Sequence, residues 1–167
     1  FRAMVRAYLF AEVVSLLIFV LYPVHMVLRP DIGNVDSFTN WGLKFCFSFD
    51  APSNCFPSLH VGLSSLAALC TWKADRRVGA PALVLAFLIG VSTMLVKQHY
   101  LVDVIGGAVL AGISYRLFLI PLDLREHSRD ELAFSPWAAV GVFVVHAVWM
   151  LSCYIAYQWG WRPWLSS

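Results

Sequence analysis

The chain has 167 residues, 60% of them hydrophobic and 13% charged, with a formal net charge of +2. A soluble domain is about 25% charged, so this composition, with a mean hydropathy of +0.72, excludes an ordinary soluble domain and predicts an integral membrane protein. The small net charge gives no argument for nucleic-acid binding, and a start at Phe1 instead of Met reads as a fragment whose upstream part is missing.

A helix needs about 20 mostly apolar residues to cross the hydrocarbon core. Residues 8–28 qualify, with Glu12 as their only acidic residue and Arg29 just beyond. Residues 58–72 are short, although Lys73 can snorkel and lengthen the span. Residues 78–96 carry no charge, and residues 100–120 carry only Asp103 and Arg116. Residues 137–157 hold no formal charge, and Ser135-Pro136 ahead of them offers a capping hydroxyl followed by proline at the first helical position. The expected fold is therefore all-α: a polytopic transmembrane bundle of five spanning helices, forming a single membrane-embedded domain over residues 1–167. The long connection 29–57 is rich in aromatic and turn residues. It contains Cys46 and Cys55, which can pair as a disulfide in an oxidising compartment or remain thiols. Residues 121–135 read as a solvated connection.

The distribution of Lys and Arg sets the expected orientation. Arg2, Arg6, Lys73, Arg76, Arg77, Arg116, Arg125 and Arg129 fall on one side of a five-helix arrangement; Arg29, Lys44, Lys97 and Arg162 fall on the other. With the richer side cytoplasmic, Arg29, His60, His99 and Asp103 all lie at the extracytoplasmic face.

Those four residues carry the chemistry. His99 and Asp103 are four apart, the spacing of one helix face. A carboxylate there can accept from one imidazole nitrogen and leave the other free to attack; equally, an acidic residue in a first turn favours the helix dipole. His60 follows Pro57-Ser58, a helix start whose amides lack intrahelical partners and can receive a phosphate oxygen. The bland alternative is an interfacial histidine after a capping turn. Arg29 can clamp phosphate with its planar donor fork, or sit at the interface as an ordinary arginine. Lys97 can add positive charge beside His99 or snorkel to headgroups. His25, four residues before Arg29, is a candidate pocket residue. No Cys/His spacing suggests a metal, and no cofactor is expected.

The order Arg29-Pro30, then Pro57-Ser58-Leu59-His60, then His99-x-x-x-Asp103 resembles the type 2 phosphatidic acid phosphatase superfamily, which includes the lipid phosphate phosphatases. Its motifs are Lys-x6-Arg-Pro, Pro-Ser-Gly-His and Ser-Arg-x5-His-x3-Asp, and the likeness covers residues 22 to about 107. The family lysine falls at Tyr22, its glycine at Leu59 and its arginine at Thr93, so Tyr22 and Thr93 are further pocket candidates. Lys97 lies four residues after Thr93, where its ammonium can fill the place of the missing guanidinium. Pro-Ser-Leu-His followed by Lys-Gln-His-Tyr-x-x-Asp is more similar to the branch containing inositol phosphorylceramide synthases.

The resemblance implies an enzyme in which Asp103 orients His99, His99 attacks phosphorus to give a phosphohistidine, and His60 protonates the leaving oxygen. Arg29, Lys97 and Ser58 would hold the phosphoryl oxygens, without a metal. The expected substrate is a membrane lipid phosphate and the acceptor water. The alternatives are transfer of a phosphoalcohol head group to a lipid alcohol, or a non-catalytic protein that binds lipid phosphate.

Overall fold

The computed structural model describes residues 2–50, 52–121 and 136–162. Apart from Pro121, the connection predicted at 121–135 lies outside the described residues, and so does the capping Ser135. Six helices are described: α1 (Arg2–Leu21), α2 (Phe38–Phe49), α3 (Leu59–Ala74), α4 (Arg76–Leu95), α5 (Leu101–Phe118) and α6 (Pro136–Gln158). The chain divides into two compact units. One comprises residues 1–30 and 52–126, with α1, α3, α4 and α5; the other comprises residues 31–51 and 127–167, with α2 and α6.

Among the described residues, three helices are long and apolar enough to cross a membrane: α1, α4 and α5. They leave large apolar side chains uncovered, among them Val20 at 79% exposure and Phe87 at 69%, as lipid-facing surfaces do. Five spans were expected. With 16 residues, α3 rises only about 24 Å, short of a core about 30 Å thick. The 23 residues of α6 are long enough, but their side chains are described only in part.

In the first unit α1 runs from Arg2 to Leu21, not from 8 to 28, because Pro23 disfavours helical backbone before it and the basic first turn joins the helix. Its small residues Ala7, Ala11 and Ser15 form a buried stripe. Ala7 and Ala11 pack with Leu66 of α3 and with Leu110 and Ala111 of α5; small side chains let helix backbones approach closely in a bilayer. The hydroxyls of Ser15 and Ser114 donate to the carbonyls four residues back, each at 2.8 Å, so no polar group is orphaned there. At the far end Lys73 donates to the carbonyls of Leu119 and Ile120, neutralising the C-terminal dipole of α5. Asp75 turns the chain between α3 and α4: its amide donates to Thr71 O and its carboxylate accepts from Arg77 N, both at 2.8 Å.

In the second unit α2 occupies part of the long connection 29–57. Ser37 caps it by accepting from Asn40 N at 3.1 Å. Phe38, Trp41 and Phe45 then stack along one face, at 6.0 and 5.2 Å between successive rings. The Trp41 indole donates to Trp161 O at 2.8 Å, and the Tyr157 hydroxyl to Asp36 O at 3.0 Å.

Candidate active site

Three chain segments of the first unit converge at the N-terminal ends of α3 and α5. Ser58 is the N-cap of α3 and its hydroxyl accepts from Val61 N at 3.4 Å, so the oxygen read as a phosphate ligand serves first as a helix cap. The Ser58 amide donates to Asp103 O at 3.0 Å, which ties the start of α3 to the first turn of α5. The helices can come this close because Gly107 has no side chain: a Cβ there would lie 2.4 Å from Ser58 O.

This approach sets two imidazoles against each other. His60 Nδ1 lies 3.3 Å from His99 Nε2. His60 is exposed, whereas His99 is buried at 5% exposure. The other ring nitrogen of His99 is 2.9 Å from Cys55 O. A carbonyl can only accept, so Nδ1 carries the proton and, in the neutral ring, Nε2 presents its lone pair towards His60. The Thr93 carbonyl also accepts from His99 N, at 3.3 Å.

Asp103 takes a different place from the one expected. Its Oδ2 is 3.7 Å from His99 Nδ1, beyond hydrogen-bond length, and accepts instead from Tyr100 N at 2.7 Å. His99 precedes α5 and is not on it, so the four-residue spacing does not place the two on one helical turn. Cys55 O fixes the tautomer, and the buried carboxylate supplies negative charge near an imidazolium. An imidazole held at Nδ1 by a carbonyl, with Nε2 set against the ring nitrogen of a second, exposed imidazole, is an arrangement that can support nucleophilic attack and proton transfer.

The family profile described as PAP2 superfamily matches residues 1–117. The chain belongs to the PAP2 superfamily. It is 30% identical over 109 residues to the uncharacterized protein MJ0662 of Methanocaldococcus jannaschii, an alignment covering 65% of this chain and 42% of that protein. The chain thus spans about two fifths of the length of that curated relative. No solved structure matches significantly.

The remaining PAP2 motif positions are distributed as follows. Arg29 is half-buried in the irregular segment after α1. Because α1 ends at Leu21, the spacing from His25 to Arg29 is not that of a helix; His25 and Tyr22 are both exposed. Thr93 is buried, its hydroxyl bonded to Gly90 O at 2.8 Å, and it reaches the site only through its carbonyl. Lys97 lies beyond α4, whose C-cap is Val96, so it is not one helical turn along from Thr93. It is exposed and adopts left-handed backbone with φ 57°, two residues before His99.

Cys46 and Cys55 lie in different units. Both are thiols, Cys46 exposed on α2 and Cys55 buried. The Cys55 Sγ donates a weak hydrogen bond to Pro52 O at 3.1 Å. Sequence reasoning missed the carbonyl of Cys55 and the side chain of Tyr100. The Tyr100 hydroxyl accepts from Val27 N at 3.2 Å.

Proposed function

We propose that this PAP2 chain is a lipid phosphate phosphatase or phosphotransferase acting through a phosphohistidine at His99. One observation carries the reading: His99 Nδ1 is held by Cys55 O while Nε2 faces His60 at 3.3 Å. A protein that only binds phosphate needs neither a tautomer-locked nucleophile nor a second imidazole opposite it.

In the first step His99 Nε2 attacks phosphorus, the bond from phosphorus to the ester oxygen breaks, and protonated His60 gives its Nδ1 proton to the departing oxygen. In the second step His60 takes a proton from water, the oxygen attacks phosphorus, and the bond from phosphorus to Nε2 breaks. The bond to Cys55 O keeps Nδ1 protonated throughout, and the Asp103 carboxylate at 3.7 Å favours the positive ring formed on attack. A separation of 3.3 Å leaves no room for a phosphoryl group between the rings. His60, exposed at the first turn of α3, is the ring that swings aside. Arg29, Lys97 and the first amides of α3 stabilise charge on the equatorial oxygens, where most of the rate enhancement of such a transfer arises.

Transfer to an alcohol in place of water uses the same two histidines. The lysine and arginine bias, eight against four, supports an extracytoplasmic site if α3 and α6 cross along with α1, α4 and α5.

The test is product analysis by mass spectrometry on protein in detergent with a panel of lipid phosphates, with and without inositol, and with EDTA. Phosphate release that survives EDTA and disappears in His99→Ala is the expected result, and a new lipid formed only with the alcohol would select the transferase. Chelator-sensitive turnover that persists in His99→Ala would refute the mechanism.

A further inference from the structure

Beyond α1 the chain runs without regular structure to Pro30, yet it must deliver Arg29 to a fixed point for the guanidinium to hold phosphate. Main-chain contacts tie the first part of this segment to the loop before α3. Met26 N donates to Pro52 O at 2.8 Å and Cys55 N to Val24 O at 3.3 Å, and Val24 pairs with Asn54 as an isolated parallel bridge. These contacts secure residues 24–26 against the strand of chain whose Cys55 carbonyl holds the nucleophile. The next tie comes from a side chain: Val27 N donates to the hydroxyl of Tyr100 at 3.2 Å. Of the four, it lies nearest to Arg29.

Tyr100 is well placed to transmit position. Its amide is held by the Asp103 carboxylate at 2.7 Å, and its carbonyl accepts from Asp103 N and Val104 N at 3.1 and 3.2 Å. The residue is thus anchored at the start of α5, directly after His99. Its ring then reaches across to the segment that carries the cation.

We propose that Tyr100 is a positioning residue whose hydroxyl sets the reach of Arg29 over the His60–His99 pair, and thereby the affinity of the site for phosphate. The proposal rests on the reading of Arg29 as a phosphate ligand. In this proposal Tyr100 acts through the Val27 amide. Removing the hydroxyl leaves the ring, its main-chain bonds and the nucleophile in place, while residues 27–30 lose one of their anchors.

Tyr100→Phe, Arg29→Ala and the double variant should be compared with wild type by calorimetric titration of the detergent-purified protein with inorganic phosphate. Tyr100→Phe should weaken binding about three- to tenfold, the worth of one hydrogen bond, with little change in the melting midpoint, and should lower kcat/KM on a lipid phosphate by a similar factor because Arg29 also holds the transferring group. In the double variant the Tyr100→Phe effect should vanish, because nothing remains for the hydroxyl to position. Wild-type affinity in Tyr100→Phe, or losses that multiply in the double variant, would overturn the proposal while leaving the phosphate site intact. Unchanged binding in Arg29→Ala, or no binding by wild type, would instead remove the reading of Arg29 beneath it, and the proposal with it.

Discussion

Gly107→Ala tests whether the approach of α3 to α5 builds the catalytic pair. The added Cβ would sit 2.4 Å from Ser58 O and 3.1 Å from Gly62 N. Ordinary contact begins at 3.4 Å, so the helices must part by about 1 Å at this point. The bond from Ser58 N to Asp103 O, now 3.0 Å, would stretch towards 4 Å and be lost. Overpacking costs about 1–3 kcal/mol and the bond about 1 kcal/mol; the better helix propensity of alanine returns about 1 kcal/mol. The net destabilisation is then about 1–3 kcal/mol, which leaves most of the protein folded. Catalysis should suffer more, since His60 is two residues from Ser58 and a displacement of about 1 Å at a reacting group can lower rate about 100-fold. The assay is phosphate release from a lipid phosphate beside a thermal melt, with Gly112→Ala as control because nothing lies within 4 Å of its Cβ. A Gly107→Ala protein with near wild-type activity and an unchanged melt would refute the argument that this glycine contact sets the histidine geometry.

Lys97→Gly should stabilise the fold or leave it unchanged, because a left-handed conformation costs a side-chain-bearing residue about 1 kcal/mol or more, while KM for lipid phosphate rises about tenfold if the ammonium binds phosphate. A melt combined with steady-state kinetics reads both, and an unchanged KM would remove Lys97 from the site. Cys55→Ala should keep kcat within about twofold, since the carbonyl and not the thiol holds His99, and should lower stability by about 1 kcal/mol for the lost buried sulfur. Loss of turnover in that variant, or in wild type treated with dithiothreitol, would mean that the sulfur matters to the chemistry.

Helix existence was readable from apolar runs, but their ends were not always set by hydropathy. The amphipathic basic turn at Arg2 and Arg6 extends α1 backwards, and Pro23 stops it at Leu21; the proline was visible in the sequence and outweighs the apolar residues that follow it. The chain's α2 went unseen because residues 29–57, rich in aromatic and turn residues, were read only as a long connection. The spacing of Phe38, Trp41 and Phe45 is nevertheless that of one helix face, and Ser37 is a cap signal. Membership of the PAP2 superfamily was legible at once, since it rests on side chains in a fixed order.

What holds those side chains was hidden for a definite physical reason. The acceptors around His99 are Cys55 O at 2.9 Å for the ring and Thr93 O at 3.3 Å for the amide, and α3 hangs from Asp103 O at 3.0 Å. A carbonyl is present at every position, so none of these contacts leaves a mark in residue type. Sequence spacing therefore assigned the orientation of His99 to the one side chain able to perform it, Asp103, when the backbone 44 residues away had taken that role. The carboxylate is then free to fix the start of α5 through Tyr100 N, and it still lies near enough to His99 to favour a positive ring. Under the proposed mechanism, the two functions of a carboxylate beside a catalytic histidine, aligning the ring and compensating its charge, are divided between a main-chain oxygen and Asp103. An Asp103→Asn protein separates them: it should retain the tautomer and the fold but lose the charge compensation.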